Sequence, residues 1–136
     1  MYAALAALIL VTGSHGVSAR LPAGWHRVPA TLTSCTNPVE RLDVAGPAGA
    51  LVMVQEALDR AYVKRFPARP RHFGVRGAAA YLTCCDAPGH GKGWFLSFRD
   101  AGRSFYVYLY PGRAGDPSVA LAILDSLRIR ALPASV

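Results

Sequence analysis

Hydrophobic and polar residues alternate with period two along several stretches of this chain, and in a strand such residues fall on opposite faces of a sheet. In Gly93-Trp-Phe-Leu-Ser-Phe-Arg99, Trp94, Leu96 and Phe98 share one face, and Phe95, Ser97 and Arg99 share the other. In Ser104-Phe-Tyr-Val-Tyr-Leu-Tyr110, Phe105, Val107 and Leu109 face one way and Tyr106, Tyr108 and Tyr110 the other. Asp100-Ala-Gly-Arg103 separates the two runs, and a short loop containing Gly predicts a hairpin. The apolar run in Ala50-Leu-Val-Met-Val-Gln-Glu56 fits a buried strand. Weaker strands are predicted over 25–28, 39–44 and 78–84.

The period changes near the C-terminus. Val119, Ala122, Ile123 and Leu127 recur at helical spacing, with Asp116 as N-cap and Pro117 at the first helical position. Arg128-Ile-Arg130 leaves this helix as a short final strand. The middle segment, 59–76, carries Pro67 and Pro70, and its second half reads as an extended loop crossing from one half of the sheet to the other. Strands followed by one late helix predict an α+β fold: an antiparallel sheet, a C-terminal helix packed on one face, and a short final strand.

The N-terminal stretch shows neither period. Met1-Tyr-Ala-Ala-Leu-Ala-Ala-Leu-Ile-Leu-Val-Thr is apolar, breaks at Gly13, Ser14 and Gly16, and closes on Val17-Ser-Ala19 before Arg20. An apolar run, turn formers and small residues at the −3 and −1 positions have the layout of a signal peptide over residues 1–19. The stretch lacks the basic opening such a leader usually has, which a start placed too late would explain. The competing readings are a buried helix of the fold and a membrane anchor, but the run is shorter than the ~20 apolar residues of a span. Leu32-Thr-Ser-Cys35 spells a lipobox, yet it follows a polar, turn-rich stretch and is rejected. This reading leaves residues 20–136 as a single α+β domain, exported and without a transmembrane span, either secreted or held at the cell envelope.

Leu21-Pro-Ala-Gly-Trp25 followed by a strand resembles the opening of PsbP-like domains, and a hairpin followed by Ile123-Leu-Asp-Ser-Leu-Arg-Ile129 is similar to their last helix and strand. The resemblance covers about a quarter of the chain. It implies an antiparallel sheet flanked by helices in an exported binding or accessory module. No catalytic residue carries over from it.

Charge and cysteines decide which chemistry is open. The formal net charge is +7, and thirteen of the fifteen Lys and Arg residues are Arg. A GC-rich genome accounts for the Arg count, but the surface still attracts polyanions. Arg60, Lys64, Arg65, Arg69, Arg71 and Arg76, with His72, are interleaved with Tyr62, Phe66 and Phe73, which makes this segment a candidate polyanion surface. In an exported chain the matching partner is an acidic envelope polymer or anionic lipid headgroups. No nucleic-acid-binding motif is present, so specific nucleic-acid recognition is not expected. The Tyr106, Tyr108 and Tyr110 stripe is either a packed face or an exposed ligand platform.

Cys35, Cys84 and Cys85 predict one disulfide and one leftover thiol in an oxidising compartment. Neighbouring cysteines pair poorly, so Cys35 with Cys84 or Cys85 is expected, and Cys84 shares the more apolar side with Leu82 and Ala80. The alternative is an extracytoplasmic thiol-redox or metal-binding protein using Cys84, Cys85 and His90, although that spacing is not a usual zinc pattern. Gly89-His-Gly-Lys-Gly93 lacks the Ser or Thr of a phosphate loop, there is no Gly-x-Ser-x-Gly elbow, and the eight acidic residues form no close pair. The chain therefore reads as an exported, non-catalytic binding or accessory module at the cell envelope, with no cofactor indicated.

Overall fold

The alternating stretches do pair, and they build the larger of two sheets. The computed structural model describes residues 8–29, 39–58, 66–76 and 93–133. The strands are β1 (Ile9–Thr12), β2 (Val17–Leu21), β3 (His26–Arg27), β4 (Val39–Ala45), β5 (Leu51–Ala57), β6 (Trp94–Asp100), β7 (Arg103–Tyr110) and β8 (Arg128–Ile129), with helix α1 (Ser118–Asp125) before the last. The hairpin of β6 and β7 turns at Ala101 and Gly102, both at positive φ (54° and 72°), the geometry of a two-residue hairpin turn that matches strand twist. β5 joins the other side of β7, and the sheet runs in the order β3-β4-β5-β7-β6. Every pairing is antiparallel.

The second sheet was not legible as one. β1 and β2 form a hairpin whose register sets Leu10 opposite Arg20 and Thr12 opposite Ser18, and β8 completes the order β1-β2-β8. The architecture is thus mostly β, with 46% strand against 12% helix among the described residues and two antiparallel sheets, and this corrects the α+β expectation of one sheet carrying a helix. The helix and the short final strand are present. The difference arises because residues 9–19, read as the end of a leader, form β1 and most of β2, the strand with which β8 pairs.

Both sheets share one core. Val17, Ala19 and Leu21 of β2 pack with Leu42, Val44, Val52, Val54, Phe98, Phe105, Val107 and Leu109 of the larger sheet and with Ala120, Ile123, Leu124 and Leu127 of the α1 segment. The apolar stripe of α1 is turned by about one residue from the sequence expectation: Ala120 and Leu124 are buried, while Val119 and Ala122 are exposed. The helix also begins one residue late. The first intrahelical bond runs from the Leu121 N–H to the Pro117 carbonyl, and the Asp116 carboxylate accepts the Ser118 N–H at 3.0 Å. That bond holds the Asp116 carboxyl below its usual range. The opposite face of the larger sheet carries a smaller cluster of Leu51, Met53 and Tyr108.

A bulge in β4 ties the sheets together at one end. The register shifts between Glu40 and Leu42, leaving Arg41 as the extra residue. Its carbonyl accepts the Ser14 N–H at 2.8 Å, from the turn joining β1 to β2. Gly13 in that turn lies so close to the Arg41 carbonyl that a Cβ there would overlap it.

Candidate functional site

Arginine dominates the chemistry of this chain, so the site is built by asking what each described guanidinium touches. Two of them are buried. Glu56, on the same face of β5 as Val52 and Val54, is 3% exposed. Its Oε1 accepts from Arg41 Nε at 2.9 Å and Arg103 Nη2 at 2.7 Å, and its Oε2 accepts from Arg103 Nε at 3.0 Å. Arg103 therefore grips the carboxylate with two bonds, the strong geometry for this pair. Its Nη1 donates to the carbonyls of His15 and Arg130, both at 2.7 Å, so one guanidinium links β7 to both hairpin turn and final strand of the smaller sheet. Arg41 Nη1 lies 3.1 Å from His15 Nδ1, and since arginine only donates, the ring nitrogen accepts. Burial pushes the Glu56 carboxyl up, but hydrogen bonds and charge from Arg103 and Arg41 outweigh it and hold the group below its usual range. This triad is internal and offers nothing to a ligand. Its signal was present in the sequence, because Glu56 and Arg103 each fall on the apolar face of a period-two strand.

Arg69 is also committed. The segment 66–76 runs beside the free edge of β6, with the Arg69 N–H donating to the Arg99 carbonyl at 2.9 Å and the Arg99 N–H to the Pro67 carbonyl at 2.7 Å. From there the Arg69 guanidinium reaches Asp100 Oδ2 (2.9 Å) and the carbonyls of Leu127 (2.8 Å), Asp125 (3.1 Å) and Leu124 (3.3 Å). The Leu124 and Asp125 carbonyls belong to the negative C-terminal end of α1, and Leu127 lies just beyond it. Asp125 returns the contact through Oδ1, which accepts the Phe73 N–H at 2.7 Å. The extended second half of 59–76 is thus a strap between the sheet edge and the helix. Arg69→Ala is expected to lower stability by about 2 kcal/mol, a fall of roughly ten degrees in thermal midpoint, while Arg71→Ala leaves the melt unchanged. Calorimetry of the two variants checks this.

Of the other residues in the basic segment, Arg71 and Arg76 are exposed, and Arg60, Lys64 and Arg65 lie outside the described residues. The tyrosine stripe narrows as well. Tyr108 is 1% exposed and packs on Phe95 with ring centres 5.1 Å apart, so it belongs to the core. Tyr106, against Phe66 at 4.8 Å, and Tyr110 are half-buried. Cys35, Cys84, Cys85 and His90 lie outside the described residues, as does the predicted strand over 78–84. Among the described residues, no three His, Cys, Asp or Glu side chains come together to hold a metal, and no helix is long and apolar enough to cross a membrane.

Of the other described arginines, Arg27 donates to the Thr12 carbonyl, Arg99 donates to the Phe66 carbonyl, Arg113 is exposed in the turn after β7, and three gather at the solvent face of the smaller sheet. Arg20 points outward from β2, opposite in sense to the buried Val17, Ala19 and Leu21. Arg128 lies across from Ser18 on that same outer face, and Arg130 follows it. All three are exposed, and no ion-pair partner meets them among the described residues. No acidic residue occurs in β1, β2 or β8. The Arg20 backbone is fixed by Ser126 Oγ, which accepts its N–H at 2.9 Å, so this cation sits beside the end of α1. Sequence reasoning passed over these three because it placed β2 at a cleavage site and read Arg128 and Arg130 only as a strand.

The chain matches no family model, no curated protein and no solved structure. The resemblance of its two ends to PsbP-like domains rests on Leu21-Pro-Ala-Gly-Trp25 and the stretch from Ile123 to Ile129 alone.

Proposed function

We propose that this chain is a non-catalytic binding module that attaches to an anionic surface through the outer face of the sheet β1-β2-β8. The observation that carries this reading is the sorting of the arginines. Arg41, Arg103 and Arg69 are engaged by carboxylates, whereas Arg20, Arg128 and Arg130 stand exposed on or beside one small sheet whose strands carry no acidic residue, with no ion-pair partner among the described residues. Unpaired cations gathered on one face attract phosphate- or carboxylate-bearing polymers and headgroups, with a strength that falls as salt screens them. Exposed Arg71 and Arg76 on the strap add to the same field. Binding is the function that such a gathering of cations supports.

Retention on a heparin-type resin at physiological salt tests the reading. The full chain is expected to be held, and Arg20→Gln/Arg128→Gln/Arg130→Gln is expected to elute at clearly lower salt with its melt unchanged. Arg71→Gln/Arg76→Gln should shift elution less. A wild-type chain that flows through, or a triple variant eluting with it, would remove the basis for this function.

A further inference from the structure

Resting on that reading, we propose that the anionic surface is a lipid bilayer, and that β1 is the edge which enters it: Leu8, Ile9 and Leu10 sit among the headgroups while Arg20 and Arg128 hold lipid phosphates. The first observation is apolar exposure. Leu8, Ile9 and Leu10 are 46%, 63% and 54% exposed and consecutive, whereas the other exposed large apolar residues among the described residues, Leu58, Val119 and Leu132, occur singly. Scattered apolar residues are ordinary on a surface, but a contiguous group marks a contact. The second observation is position. Among the described residues β1 has β2 as its one neighbour in the sheet, so it forms a rim rather than a floor.

The third observation is charge, and it selects the partner. Leu10 lies directly across from Arg20 on the outer face, and Thr12 across from Ser18, whose other neighbour is Arg128. Opposed residues on one face have Cβ atoms about 5 Å apart, within reach of a long side chain that can lay its stem along apolar surface and keep its head at the phosphates. A soluble acidic polymer would use the arginines and leave the three apolar side chains in water. A second copy of this chain would cover the apolar edge but bring two +7 molecules together. An anionic bilayer satisfies both, combining apolar burial at the headgroup boundary with attraction to each cation. The depth is limited. Edge N–H and C=O groups of β1 need water or headgroup partners, so the strand stays in the interface and does not enter the hydrocarbon.

The test uses the full chain with vesicles of phosphatidylcholine, alone or mixed with phosphatidylglycerol, at physiological salt. Sedimentation with the mixed vesicles only is expected. Leu8→Ser/Ile9→Ser/Leu10→Ser should bind them about tenfold or more weakly yet keep its retention on heparin-type resin. Arg20→Gln/Arg128→Gln should weaken vesicle binding by about fivefold for each arginine. In Leu10→Trp, the new indole is expected to shift its emission to the blue with mixed vesicles and to be quenched by brominated acyl chains. Resin retention without vesicle binding overturns this inference and leaves the proposed function standing; loss of both overturns both. A serine variant that binds vesicles like the wild type also overturns it. So does a wild-type dimer that the serine changes dissolve, because the edge then pairs with a second copy.

Discussion

A chain that begins at Arg20 is expected to lose its cooperative fold. Cleavage after Ala19 removes β1 and the first three residues of β2, and with them Val17 and Ala19, both fully buried in the core shared by the two sheets. Burial of a Val side chain alone contributes roughly 1.5–3 kcal/mol. The cut also removes the His15 carbonyl that Arg103 bonds, the Ser14 N–H that satisfies the β4 bulge, and the strand that β8 pairs with. Each lost buried partner costs about 1–3 kcal/mol. Together these losses are on the order of the ~5–15 kcal/mol that holds a whole domain. Thermal melts of chains starting at Met1 and at Arg20 check the expectation. Melting of the shorter chain within a few degrees of the longer one would contradict the placement of β2 in the core. A leader removed after Ala19 and the hairpin of β1 and β2 exclude each other in one molecule, so the intact mass of protein recovered from its native compartment reports directly on which form acts there.

Glu56→Gln is expected to be the most damaging conservative change inside the fold. It keeps the shape of the side chain but removes the one negative charge facing Arg41 and Arg103, which are both buried. Breaking a buried ion pair by neutralising one partner typically costs about 3–5 kcal/mol, because the remaining charge stays desolvated. A pH signature separates this from simple loss of packing. The Glu56 carboxyl is held below its ordinary 4.5, so the folded state binds fewer protons than the unfolded chain near that value. The stabilisation is complete above the unfolded value and is lost as pH falls through the lower folded one. Denaturant unfolding at a series of pH values should show this acid-linked loss in the wild type and a flatter acid limb in Glu56→Gln. Equal acid slopes in the two proteins would mean that Glu56 is not the group bridging the arginines.

The larger sheet was legible because its strands obey simple alternation. Trp94–Asp100 and Arg103–Tyr110 pair around a two-residue turn, as Phe105, Val107 and Leu109 on one face and the tyrosines on the other require. The smaller sheet was hidden for a physical reason. In Ile9–Thr12 only Val11 packs at the core rim while Ile9 and Leu10 are exposed on either side, so no period appears, and an unbroken apolar run at an N-terminus has the composition of a leader. Once β1 and β2 were set aside, β8 had no visible partner and the mostly-β architecture could not be reached. Density of charge singled out the middle segment in the sequence. Arg69 stood in the most basic segment, yet its geometry is spent on α1, whereas Arg20 and Arg128 are separated by most of the chain and meet only through the pairing of β2 with β8. Contacts across such a distance have no local pattern for sequence reasoning to detect.

The junction of Arg20 with Ser126 spans 106 positions, which joins the two ends of the described chain in one sheet. Closure across so much sequence is slow and comes late, after the local hairpins of the middle have formed. During synthesis, β2 gains its β8 edge only after Arg128 and Ile129 have left the ribosome. The contact between the two ends of the described chain is thus the last one that synthesis makes available.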